Sequence, residues 1–157
     1  KHKHQKRLNG EPYFVHPQAV ARSVSEWARD PNVVAAAYLH DVIEDTGCDY
    51  EDLLKSFNKK VADCVSMLSR DFRKPKKLSL TEFRKTLRTA PSEVKLIETA
   101  DIYDNVKSKA NPEFMRRYFK KTLETLPFLK AGRLGKYKSA IEYSIRATEE
   151  RIGNSRR

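Results

Sequence analysis

Apolar residues recur at three- and four-residue steps along most of this chain, the spacing of one helical face. From His16 to Ala28 the positions Ala19, Val20, Val24 and Trp27 mark a first helix. Asp30-Pro31-Asn32 breaks it, and Val33 to Asp45 reads as an almost wholly apolar helix that ends in acids. Thr46 to Asp49 reads as a turn, with Gly47 placed to stop the preceding helix. Leu53, Leu54, Phe57, Val61, Cys64, Val65 and Leu68 mark another amphipathic helix, and Pro75 interrupts a basic loop. Ser79 to Glu82 has the form of a capped start to a short helix ending near Ala90. Pro91 opens the next, with Val94, Ile97, Asp101 and Asn105 near one face. Pro112 suits the first turn of a helix carrying Phe114, Phe119 and Leu123. A last helix uses Tyr137, Ile141, Ile145 and Ile152. There is no β-type alternation of useful length, no Gly-rich phosphate loop and no repeat. The pattern predicts an all-α domain.

Length and charge narrow the reading. A chain of 157 residues suits one domain spanning 1–157. It opens on Lys1 rather than Met, so it is expected to begin inside a longer chain. No apolar run approaches the roughly 18–20 residues of a membrane span, which excludes a transmembrane class. Two cysteines, Cys48 and Cys64, are too few for a disulfide scaffold and are not spaced as a metal knuckle. A reducing cytoplasm is the simplest home. The net charge of +11 attracts polyanions, and Arg73-Lys74-Pro75-Lys76-Lys77 is its densest stretch. The bland alternative is a set of solvated helix faces.

The chemistry concentrates around His40-Asp41, set in an apolar helix and followed by Glu44 and Asp45. Burying ionisable groups beside Ala36, Ala37, Leu39 and Val42 is costly without compensation. A divalent cation supplies it, because neutral imidazole and carboxylate are its ligands. Glu44 lies one turn from His40 and Asp41. His16 stands directly before Pro17, and Asp101 is followed one turn later by Asn105. His16, His40, Asp41 and Asp101 make a two-nitrogen, two-oxygen set from three helices. Such a set suits Mn²⁺, Fe²⁺ or Zn²⁺ better than Mg²⁺ or Ca²⁺.

Three segments together carry a family resemblance: Gln5 to Pro17, Leu39 to Thr46, and Ala100 to Asn105. With them the chain resembles the HD-domain metal-dependent phosphohydrolases, and among these the hydrolase domain of the RelA/SpoT-homologue alarmone enzymes. The resemblance runs from Gln5 to about Lys107 and implies an HD-domain helical bundle. It implies His16, His40, Asp41 and Asp101 as metal ligands, the metal being Mn²⁺, with Fe²⁺, Co²⁺ or Zn²⁺ as alternatives. Glu44 and Asp45 match the pair that orients and activates the attacking water. Arg7 matches the guanidinium that stacks on the guanine base, Asn105 a nucleotide contact, and Ser108 a hydroxyl that assists. Lys6, beside Arg7, is placed to neutralise substrate charge.

The implied reaction is hydrolysis of the 3′-pyrophosphate of (p)ppGpp to GDP or GTP plus pyrophosphate, in a small stand-alone alarmone hydrolase or in a hydrolase domain taken from a larger chain. The implied partners are this guanine nucleotide and a cognate synthetase toxin, with no membrane. His4, Leu8-Asn9 and Ile102 depart from the family pattern. They leave open NADPH, or a 3′-pyrophosphorylated tRNA end, as the substrate. A third reading, from another class, is a non-catalytic basic module that binds nucleic acid. Residue by residue, bland alternatives also stand: a helix-capping His16, a helix-end Asp45, a solvated Arg7 and an Asn105 bonded within its helix. Cys48 and Cys64 read as structural, and Tyr103 and Tyr118 as core.

Overall fold

A computed structural model describes residues 5–7, 10–70, 78–108 and 111–155. Their helices are α1 (Val15–Ser25), α2 (Pro31–Leu39), α3 (Val42–Asp45), α4 (Tyr50–Ser56), α5 (Lys59–Leu68), α6 (Leu80–Thr89), α7 (Ser92–Val106), α8 (Pro112–Lys130) and α9 (Lys138–Asn154). A single 3₁₀ turn, Gly135–Tyr137, leads into α9. Among the described residues there is no strand, only an isolated bridge between Lys6 and Pro12. The all-α expectation therefore holds. The basic stretch 73–77 and residues His4, Leu8 and Asn9 lie outside the described residues.

The architecture is organised around α7, which packs against α1, α2, α5, α8 and α9. Its buried residues Val94, Leu96, Ile97, Ala100, Ile102 and Val106 face several directions, as a central helix requires. Around it Val20, Val24, Ala36, Ala37, Val61, Val65, Ile141 and Ile145 are all fully buried. Each buried Val or Ile contributes about 1.5–3 kcal/mol relative to exposure. Lys95 of α7 is also fully buried, and its Nζ donates to the carbonyl oxygens of Arg88 and Ala131. One ammonium thus satisfies the C-terminal ends of both α6 and α8. Gly132 has φ +74, and a Cβ there would stand 2.5 Å from the Arg88 oxygen, so only glycine fits this close approach.

Two expected single helices are each broken in two. Phe57 and Asn58 separate α4 from α5, because the Asn58 side chain accepts from Val61 N and starts a new helix. Accordingly Leu54 and Phe57 are exposed rather than core. The apolar segment from Val33 to Asp45 is broken at His40-Asp41, where Asp41 takes φ −95 and ψ −4. α3 then ends after one turn because Thr46 is extended and its hydroxyl donates to Val42 O. Gly47 has no positive φ and is not the stop signal. α1 ends at Ser25, leaving Trp27 46% exposed outside the helix that its spacing suggested.

Candidate metal centre

Three elements meet at one end of α7. Asp101 projects from α7 between His16 of α1 and His40 at the α2–α3 break. The two imidazole rings lie 5.1 Å apart and nearly perpendicular. His16 Nε2 is 2.8 Å from Asp101 Oδ1, and His40 Nε2 is 3.5 Å from the same oxygen. Asp41 Oδ2 lies 3.0 Å from His40 Nε2 and 3.7 Å from His16 Nε2. Among the described residues, ligand atoms of His16, His40 and Asp101 all fall within 4.8 Å of one another. The break at Asp41 matters here, since neighbours on an unbroken helix point about 100° apart.

Each imidazole is oriented from behind. His40 Nδ1 lies 2.8 Å from Ala37 O, a carbonyl that can only accept, so Nδ1 carries the hydrogen. His16 Nδ1 lies 2.7 Å from Asp104 Oδ2. Both Nε2 atoms are thereby turned inward. His40 Nε2 is buried and has no hydrogen bond among the described residues: its close approach to Asp41 is an ionic contact without hydrogen-bonding direction. Two inward nitrogens, one of them orphaned, set among carboxylates, are a donor set that fits a divalent cation.

The electrostatics agree with that fit. Burial opposes protonation of His16, but its bonds to Asp101 and Asp104 outweigh it and raise the pKa to about 9. Burial likewise opposes protonation of His40, and Asp101 and Asp41 raise its pKa well above the ordinary value. Protons on the imidazoles balance charge that a cation would otherwise balance. Against the burial that opposes ionisation, these same imidazoles hold Asp101 far below the usual carboxylate range. Tyr13 donates its hydroxyl to Asp41 Oδ2, and burial together with that carboxylate keeps it neutral.

Glu44 stands beside this group. Its Oε1 is buried without a hydrogen bond among the described residues, 3.5 Å from Arg70 Nε. Burial raises its pKa to about 7 against the pull of Arg70, with Asp41, Asp45 and Asp101 adding to the rise. Asp45 is exposed and accepts from Gln5 Nε2 at 2.9 Å.

The centre separates two cavities. A cavity of about 320 Å³ is lined by Lys6, Arg7, Asp45, Asn105, Ser108 and Tyr118, among others, with His16, Asp41 and Asp101 in its wall. A second, of about 230 Å³, includes His40, Glu44, Arg70, Glu98, Lys121 and Tyr118, and shares Asp41 and Asp101 with the first. Of the ten residues singled out in the sequence, all but His40 and Glu44 line the first cavity. Those two line the second. Lys6 is exposed at the rim.

A tight turn carries Arg7 to its place. Gly10, at φ +88, lets the chain reverse so that Tyr13 N donates to Gln5 O and Arg7 N to Glu11 O. Arg7 then donates to Asp104 Oδ2 at 2.8 Å and Asn105 Oδ1 at 3.1 Å, which sets aside the solvated alternative. Asn105 also bonds within its own helix, Nδ2 donating to Asp101 Oδ1 at 2.7 Å. His16 spends its ring nitrogens on side chains rather than on a helix cap.

Several residues were missed in the sequence. Asp104 follows Asp101 by one turn, a signal that was available. Glu98 precedes Asp101 on α7 and Tyr13 precedes His16, each by three residues, so the same signal was available for them, whereas Arg70 had none, because only the tertiary fold brings it near. Burial and Asp101 raise the Glu98 pKa. Tyr118, expected as core, is half-buried against the core and also lines both cavities, with the exposed Phe114 stacked on it at 6.2 Å. Tyr103 is packed against the core and lines neither. Ile102 is buried and forms part of the second cavity's wall. Cys48 and Cys64 are unbridged, and burial pushes the Cys64 thiol up to about 12, which suits an inert residue.

Comparison with known proteins follows the same lines. The HD domain family profile matches residues 1–136. The bifunctional (p)ppGpp synthase/hydrolase SpoT of Escherichia coli K12 is 38% identical over 142 residues, covering 85% of this chain. A guanosine-3′,5′-bis(diphosphate) 3′-pyrophosphohydrolase from Aquifex aeolicus is 36% identical over 140 residues, covering 86% of this chain. The chain spans about a fifth of the length of these relatives. A solved structure of a metazoan SpoT orthologue, described as hydrolysing ppGpp, superposes with a TM-score of 0.76 at 27% identity, covering 93% of this chain and 88% of its own.

Proposed function

The chain belongs to the HD domain family, and from that premise we propose that it hydrolyses the 3′-pyrophosphate of (p)ppGpp, giving GDP or GTP and pyrophosphate. The observation that carries the reading is the convergence of His16 and His40 with Asp101 on one point between two cavities. Relatives across 85–87% of this chain bear the name of that activity. His16, His40, Asp41 and Asp101 hold the cation, Mn²⁺ in this reading. The bound cation supplies Lewis-acid polarisation of a phosphoryl oxygen and makes water at the site more acidic.

The chain's own residues do the rest. Glu44, with a pKa near neutrality and a buried oxygen that has no hydrogen bond among the described residues, takes the proton of the attacking water. Asp45, held by Gln5, orients that water. The water oxygen bonds to phosphorus, the bond from phosphorus to the ribose 3′ oxygen breaks, and that oxygen leaves with a proton from solvent. Arg7, fixed by Asp104 and Asn105, faces the guanine base in the larger cavity, where Ser108 and Tyr118 complete the wall. Lys6 at the rim neutralises phosphate charge.

No helix among the described residues is long and apolar enough to cross a membrane. A cytoplasmic location and a cognate synthetase as partner belong to the same proposal. The test is product analysis with ppGpp, NADPH and a 3′-pyrophosphorylated RNA end in parallel. GDP and pyrophosphate from ppGpp alone is the expected result. Turnover of either other substrate, with ppGpp untouched, replaces the substrate and leaves the metal centre standing.

A further inference from the structure

Asp104 joins the two halves of the site. Its Oδ2 lies 2.7 Å from His16 Nδ1 and 2.8 Å from Arg7 Nη1, so one carboxylate oxygen accepts from both. Its other oxygen is 3.8 Å from Lys107 Nζ. The carboxylate is 14% exposed and Arg7 12%, so these bonds are largely withdrawn from competing water. An acceptor on Nδ1 keeps a hydrogen on that nitrogen, so that Nε2, 2.8 Å from Asp101 Oδ1, is the nitrogen whose lone pair would be free for a cation. Asn105, the next residue of α7, continues the link from Arg7 to Asp101.

We infer that Asp104 is a positioning residue with two tasks: it orients His16 toward the cation, and it anchors Arg7 at the wall of the nucleotide cavity, coupling metal occupancy to substrate affinity. The inference rests on the metal-centre reading above. The coupling has a geometric basis. A cation drawing on His16 Nε2 makes Nδ1–H a stronger donor to Asp104, and the same oxygen is the one on which Arg7 is seated. Outer partners of ligating histidines of this kind change metal affinity by about 10- to 100-fold when removed. Lys107, at 3.8 Å and exposed, is too far to replace Arg7 in this role.

The experiment uses Mn²⁺ binding to the whole chain, measured by titration calorimetry, with KM and kcat for ppGpp measured separately. Asp104→Ala is expected to weaken Mn²⁺ binding by about 10- to 100-fold and to raise KM. Asp104→Asn, whose amide oxygen still accepts from Nδ1–H and Arg7, is expected to recover part of both losses. It also guards against a fold lost in the alanine variant. Arg7→Ala is expected to raise KM and, through the shared Asp104 oxygen, to change Mn²⁺ affinity by far less than Asp104→Ala does, and its KM effect should be less than additive with that of Asp104→Ala. Wild-type affinity for Mn²⁺ in both Asp104 variants overturns the inference and leaves the metal centre intact. A wild-type chain that binds no Mn²⁺ overturns the metal centre itself, and the inference falls with it.

Discussion

In the proposed mechanism Glu44 is the proton acceptor, because it combines a buried oxygen that has no hydrogen bond among the described residues with a pKa near neutrality. Glu44→Gln is expected to keep Mn²⁺ affinity and to lose turnover by about 100- to 10,000-fold. Full activity in that variant places the base elsewhere. The pH dependence has a definite sign. Glu44 accepts a proton only when ionised, so kcat/KM rises with pH as its carboxyl deprotonates. Burial raises that pKa, Arg70 lowers it, and Asp41, Asp45 and Asp101 raise it further. Arg70→Ala removes the lowering charge, and the ascending limb of the pH–rate profile should move to higher pH. A limb that stays in place or moves to lower pH contradicts the pairing of Arg70 with Glu44.

At the scale of elements, α7 carries Asp101, Asp104 and Asn105, and the interactions that seat it are separable from the chemistry. Lys95→Met leaves two helix-end carbonyls unsatisfied and is expected to lower stability by about 2–4 kcal/mol in urea unfolding. Mn²⁺ affinity under native conditions should be unchanged. Asn58→Ala removes the cap of α5 and is expected to cost about 1 kcal/mol; no loss would mean that α4 and α5 act as one continuous helix. The helices themselves were legible because their apolar spacing is regular, and the Ser79–Glu82 capping box stands where the sequence placed it. The breaks at Phe57-Asn58 and His40-Asp41 were hidden, since each sits inside an apolar pattern that a straight helix would also satisfy. The proposed ligands were visible as residue types at motif spacing. Arg70 was not, because only chain crossing brings it to the centre.

For the molecule as a whole, a net charge of +11 surrounds a centre that is itself rich in carboxylate. On the proposed function, the basic charge would draw a polyphosphate nucleotide inward, while the carboxylates of the centre would hold the cation that meets it. Two cavities share Asp41, Asp101 and Tyr118, and the larger of the two carries Arg7 and Asn105. All of this rests on a metal-dependent reaction at that meeting point. The most direct measurement is turnover of ppGpp by Mn²⁺-loaded protein beside the same protein stripped with chelator. GDP and pyrophosphate released by the loaded protein, lost on stripping and restored by added Mn²⁺, is the predicted result. Equal turnover in both samples, or no release from ppGpp by protein shown to hold Mn²⁺, contradicts it.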